Sequence, residues 1–95
     1  MERVEAGMMA ISRAGHDKDT LYLILRIEGD IAYLSDGRLK PKEKPKKKRL
    51  KHLQVIRRIV GGFQEESITN EEIRYRLKEY QREVKLRREL CQKQM

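Results

Sequence analysis

The chain has no tryptophan, one phenylalanine, one cysteine and two prolines among its 95 residues, and each scarcity removes a class of protein. With aromatics at 5% and apolar residues at 38%, the core is modest, which limits the chain to one small domain and an appendage. A lone cysteine, Cys91, forms no internal disulfide, in keeping with a reducing compartment, and is read as an unreactive helix residue. No apolar run approaches the roughly 20 residues of a spanning helix, and the first residues lack a secretory signal pattern. We therefore expect a soluble, cytoplasmic protein without a membrane partner. His16 and His52 are the only histidines, and neither has a Cys, Asp or Glu at metal-ligand spacing. A glycine-rich phosphate loop and a nucleophile motif are also missing. The expectation is of no enzyme, no metal and no cofactor.

What is present is positive charge, concentrated in one place. Formal net charge is +8. Residues 1–37 hold four basic and seven acidic side chains, residues 38–58 eleven basic and one acidic, and residues 59–95 eight and seven. The stretch LKPKEKPKKKRLKHL, Leu39 to Leu53, carries most of this excess, with Glu43 its single acid. Pro41 and Pro45 keep such a segment extended and out of a central strand. An extended run of like charge suits the tracking of phosphates, because each neutralised phosphate releases condensed counterions. A solvated loop is the bland alternative, and PKKKRLK, Pro45 to Lys51, also has the form of a nuclear import signal.

The organisation of the chain changes near residue 60. Before it, GMMAIS (Gly7 to Ser12), LYLILRI (Leu21 to Ile27), IAYLS (Ile31 to Ser35) and LQVI (Leu53 to Ile56) read as strands, with Leu21, Leu23, Leu25 and Ile27 on one face at period two. Glu28-Gly29-Asp30 reads as a tight hairpin turn, and Asp36-Gly37 as a type I′ turn leading into Arg38-Leu39-Lys40. Five short antiparallel strands predict a small barrel, because closure removes unpaired edges. Residues 61–68 read as a linker. From Thr69 the pattern is helical to residue 95: Thr69 caps, Glu72 completes a capping box, and Ile73, Leu77, Tyr80 and Val84 form one apolar stripe. Because that stripe is narrow and surrounded by charge, we expect a helix that docks weakly or only on a partner.

The segment Gly7 to Asp19, with Gly7, Ile11, Ser12, Gly15, Asp17 and Lys18, continuing through YLSDG to KKKRLKHL, resembles the KOW motif of ribosomal proteins and transcription elongation factors. Residues 3 to 56 look like the KOW-containing proteins of the archaeal and eukaryotic large ribosomal subunit and their small bacterial relatives. The resemblance implies a mainly β fold, a five-stranded SH3-like barrel over residues 1–60, whose strand-loop-strand unit lies against RNA, followed by the helix. One departure stands out: Asp19 occupies the place of the usual motif glycine, a position where Asp tolerates left-handed backbone and adds a negative charge.

Charge and resemblance together name Arg13, His16, Lys18, Arg38, Lys40, Lys42, Lys44, Lys46, Lys47, Lys48, Arg49, Lys51 and His52 as RNA-contacting residues. Gly15, Asp17 and Asp19 form the motif turn, in which carboxylates ordinarily stabilise the turn itself. Stacking partners for bases are sparse: Tyr22 and Tyr33 lie in strands, Tyr80 on the helix stripe, and Tyr75 and Phe63 elsewhere. The expected function is binding of RNA, above all ribosomal RNA, by shape and backbone, as a monomeric ribosomal or ribosome-associated protein that also meets ribosomal proteins. The alternative is a protein interaction module that uses the helix face Ile73, Leu77, Tyr80 and Val84, with the basic loop on an acidic partner.

Overall fold

The computed structural model describes residues 3–58 and 61–93, with side chains as far as Glu89. The outermost residues of the expected barrel and helix, and the side chain of Cys91, therefore lie outside the described residues. Five strands and one helix follow in order: β1 (Met9–Ser12), β2 (Leu21–Glu28), β3 (Ile31–Ser35), β4 (Lys46–Arg49), a 3₁₀ turn (Leu50–His52), β5 (Leu53–Ile56) and α1 (Asn70–Lys93). All pairings are antiparallel, in the order β4-β3-β2-β1-β5.

β4 and β5 stand at opposite edges of this sheet, yet only the three residues of the 3₁₀ turn join them. In a flat sheet four strand spacings would separate them by roughly 19 Å, while three 3₁₀ residues advance only about 6 Å. The sheet therefore curls strongly. A direct sign is the Lys48 ammonium of β4, which lies 2.7 Å from Ser12 Oγ at the end of β1. Among the described residues no ladder joins β4 to β5, so the closed barrel expected from sequence is replaced by an open, curled antiparallel sheet. The β4 edge needs no closure, because a row of lysines already discourages pairing with another chain.

Curling gives the sheet two apolar faces. Inside the curl lie Met8, Ala10, Tyr22, Ile24, Ala32 and Leu34, edged by Leu50, Leu53 and Val55. On the other face Met9, Leu21, Leu23 and Leu25 pack against Ile68, Ile73 and Leu77. β2 is thus buried on both sides, which accounts for its continuous apolar run. The ladder to β3 shifts register between Ile24 and Arg26, and this bulge at Leu25 turns Ile27 to the inner face, away from the one shared by Leu21, Leu23 and Leu25.

Two other expectations are corrected. The fourth strand is Lys46–Arg49, not Arg38 to Lys40. The Asp36 carboxylate accepts the amides of Arg38 (2.8 Å) and Lys40 (2.9 Å), while Ser35 Oγ donates to Lys40 O (2.7 Å), so residues 36–40 form a compact turn. Only Gly37 of the Asp36-Gly37 pair has positive φ, which rules out type I′. By contrast, a tight hairpin turn does join β2 to β3, over Gly29-Asp30 alone, because Glu28 extends β2 and pairs with Ile31.

The helix is the second correction. Ile73 is fully buried and Leu77 nearly so, and Tyr80 packs partly against the same cluster, while Val84 is half-buried. Within the expected linker, Ile68 enters this core and Phe63 packs on it. The outer face of β2 had to be covered by something, and α1 is the only described element with an apolar stripe to cover it. Thr69 Oγ1 accepts the Glu72 amide (3.1 Å), as an N-cap should. The Glu72 carboxylate does not return to complete a capping box but binds Arg76 (2.9 Å) one turn on. Gly37 lets the β3–β4 loop approach: a Cβ there would stand 2.5 Å from Asn70 O. Among the described residues no helix is long and apolar enough to cross a membrane.

Candidate nucleic-acid interface

The basic run does not behave as one loop. In β4 side chains alternate, so Lys46 and Lys48 point one way and Lys47 and Arg49 the other, exposed. Lys48 is the most enclosed: its side chain is 10% exposed and that of its partner Asp17 is 13% exposed. The ammonium donates to Asp17 Oδ1 (2.6 Å), Ser12 Oγ (2.7 Å) and Ala14 O (2.7 Å). An ammonium has three N–H donors, and all three are used. Asp17 in turn accepts from Ser12 Oγ (3.0 Å) and Tyr22 OH (2.8 Å) and faces Lys46 Nζ at 3.5 Å. These side chains form a polar plug that caps one end of the curled sheet's inner core.

Burial alone would raise the Asp17 pKa. Hydrogen bonds from Lys48, Tyr22 and Ser12, with the Lys46 charge, more than reverse this and hold the carboxyl well below the usual carboxylate range. Tyr22 moves the other way: burial, its bond to Asp17 and the charges of Asp17 and Asp36 push the phenol above its usual range. Asp17 is thus firmly charged and Tyr22 firmly neutral.

Lys42 is likewise engaged. Its backbone amide donates to Asn70 Oδ1 (2.8 Å), and its ammonium donates to the carbonyls of Ile68 (2.6 Å) and Glu65 (3.0 Å) in the turn before α1. Asn70 Nδ2 donates to Glu43 Oε1 (2.9 Å), and this bond, with the residue's own amide, lowers the Glu43 pKa. The first part of the run is therefore fastened to the helix start instead of floating free.

What remains is a set of exposed cations: Arg38, Lys40, Lys44, Lys47, Arg49 and Lys51. Arg13, His16 and Lys18, also exposed, stand on the β1–β2 loop. That loop is tied to β4 through Asp17 and to the 3₁₀ turn through the Arg13 amide, which donates to His52 O (2.8 Å). His52 itself is half-buried. Gly15 and Asp19 both have positive φ (85° and 74°), so Asp19 holds a left-handed backbone geometry that glycine more often adopts. Its carboxylate lies 3.5 Å from Arg13, and both side chains are solvated. Lys42, Lys46 and Lys48, named from sequence as RNA-contacting, are instead bonded within the protein; the other named cations are exposed on the β1–β2 loop, the β3–β4 loop, β4 and the 3₁₀ turn.

Aromatic groups add little to this surface. The Tyr33 ring is covered by Arg26 at 4.1 Å, with Lys47 at 5.5 Å, and Tyr22 is buried in the inner core. Tyr75 is exposed, in a cleft of mixed charge lined by Arg38, by Arg74 and Lys78 of α1, and by Asp19, Asp36 and Glu71, where the Arg74 guanidinium donates to Gly37 O (2.6 Å). Sequence reasoning passed over those two helix cations, and also Ser12 and Tyr22 as members of the plug. Helical spacing could have flagged Arg74 and Lys78, four residues apart. No signal short of the fold joins Ser12 to Lys48. No protein-family model matches the chain, and no curated protein matches it.

Proposed function

We propose that this protein binds RNA through the cations of the β3–β4 loop, the outward face of β4, the 3₁₀ turn and the β1–β2 loop, with ribosomal RNA as the foremost target. The observation that carries the reading is the division within the basic run. Three lysines satisfy internal partners, while six neighbouring cations stay in solvent with the single acid of the run itself, Glu43, turned to Asn70. A fold that needed only its internal pairs would have no use for the remaining six, whose mutual repulsion a polyanion relieves. The curled sheet, with β5 returning beside β1, supports the SH3-like arrangement implied by the KOW resemblance, and the ribosomal target rests on that resemblance alone. The scarcity of free aromatic rings fits recognition of shape and backbone over base sequence. The interaction-module alternative loses its main support, because Ile73 and Leu77 are occupied within the domain.

The test is binding of the purified protein to RNA hairpins of different sequence across a salt series. With about five phosphate contacts, the logarithm of affinity should fall against the logarithm of salt with a slope of about −3 to −5, alike for all hairpins. A flat salt response would refute the electrostatic reading. Sedimentation with ribosomal subunits at moderate but not at high salt would identify the target.

A further inference from the structure

We propose that Asp17, an acid in the midst of the basic surface, is a positioning residue on which polyanion binding depends. This rests on the RNA-binding reading above. The β1–β2 loop carries Arg13, His16 and Lys18, and its side-chain ties to β4 centre on one cluster, that of Asp17 with Lys46 and Lys48. Asp17 holds Lys48 at 2.6 Å and Lys46 at 3.5 Å, and Lys48 in turn holds Ala14 O and Ser12 Oγ. The remaining anchors are backbone bonds at the loop's ends, from the Arg13 amide to His52 O and from the Asp19 amide to Ser12 O (both 2.8 Å). Without the carboxylate, the Lys48 bonds to Ala14 O and Ser12 Oγ lose the charge that fixes the ammonium between the loop and the strand that presents Lys47 and Arg49.

Two mechanisms then predict opposite signs. Counting charge, replacing Asp17 by Asn raises the net charge by one and releases Lys46 and Lys48 to attract phosphate, so binding should tighten. Counting geometry, the same change separates two groups of cations that must meet one RNA surface together, so binding should weaken. Lys48 makes no compensating contact while its three donors are internally bonded. A buried ion pair is also a poor choice for stability alone, since an apolar plug would serve as well. What a pair adds is a fixed distance between loop and strand.

The experiment compares Asp17→Asn with the charge control Glu66→Gln, an exposed acid away from the plug. Anisotropy of a labelled RNA hairpin is read across salt, at a temperature where circular dichroism shows each variant folded. Asp17→Asn is expected to bind about tenfold more weakly, with a salt slope shallower by about two as Arg13 and Lys18 lose their phosphates. Glu66→Gln should bind as the parent or slightly tighter, and Lys48→Arg, which keeps the pair, should retain binding. If Asp17→Asn does not fold, the pair Asp17→Asn with Lys48→Gln leaves no buried charge and is expected to show the same loss. A folded Asp17 variant that binds as tightly as the parent overturns the proposal, for Asp17 would then act on stability alone. Failure of the parent protein to bind any RNA is a different result, and removes the RNA-binding reading together with this inference.

Discussion

Lys47 and Lys48 are neighbours in β4, with the same side chain and the same strand geometry, yet they lie in different physical regimes. Lys48 is enclosed, paired at 2.6 Å and saturated with hydrogen bonds, while Lys47 stands in solvent near the Tyr33 ring. One step along a strand reverses the direction of the side chain, and here it separates a charge that belongs to the fold from one left in solvent. A count of lysines cannot make that distinction. Removing Lys46, Lys47, Lys48 and Arg49 together, as if they were one loop, would mix both classes and unsettle the fold as well as the surface.

The sharpest test of this contrast is truncation of each lysine in turn. Lys48→Ala leaves the enclosed Asp17 carboxylate with Lys46, Tyr22 and Ser12 but without its nearest charge, and loss of one partner of such a pair costs up to about 3 to 5 kcal/mol. Urea unfolding should show this, and equal stability of Lys48→Ala and the parent would collapse the distinction. Leu77→Ala sets the scale for an apolar core truncation, about 2 to 5 kcal/mol. If it has almost no effect, α1 is not part of the core.

A smaller effect comes from acid. The folded pKa of Asp17 is depressed, so its contribution to stability is complete above the unfolded value of about 3.9 and fades as pH falls from there through the folded pKa. The melting temperature of the parent should decline below about pH 4 more steeply than that of the Asp17→Asn, Lys48→Gln variant. Parallel acid profiles would show that Asp17 is not linked to folding. Smallest of all, Lys47→Ala should change stability by no more than about 0.5 kcal/mol. The triple change Lys47→Ser, Arg49→Ser and Lys51→Ser should be as quiet in unfolding, while flattening the salt dependence of RNA binding by about three.

Where the sequence was legible, a short apolar run or a cap made it so. Apolar runs mark β1, β2, β3 and β5, and Thr69 marks the start of α1. β4 was illegible because Lys-Lys-Lys-Arg has no apolar phase, so its inward and outward faces look alike. The face of Ile27 was misread because a bulge adds one residue without any sign in composition. The docking of α1 was underestimated from the helix alone; its cause lies in β2, whose unbroken apolar run needs cover on both sides. The plug escaped notice because its members are polar and because Lys48 lies more than thirty residues from Ser12 and Asp17, to which only curling brings it.

The brevity of the link between β4 and β5 also orders events in time. The β2–β3 hairpin closes over two residues and forms early, whereas β5 pairs with β1 across more than forty residues. Until the sheet has bent, three residues cannot carry the chain from one edge to the other, so β5 and the Asp17–Lys48 contact are expected to arrive last. Contacts made after the barrier act on the rate of leaving the native state. Lys48→Ala should therefore steepen the loss of the folded protein, raising its unfolding rate in stopped-flow urea jumps, and leave the refolding rate almost untouched. The latch sets how long the molecule lasts once folded, not how quickly it gets there.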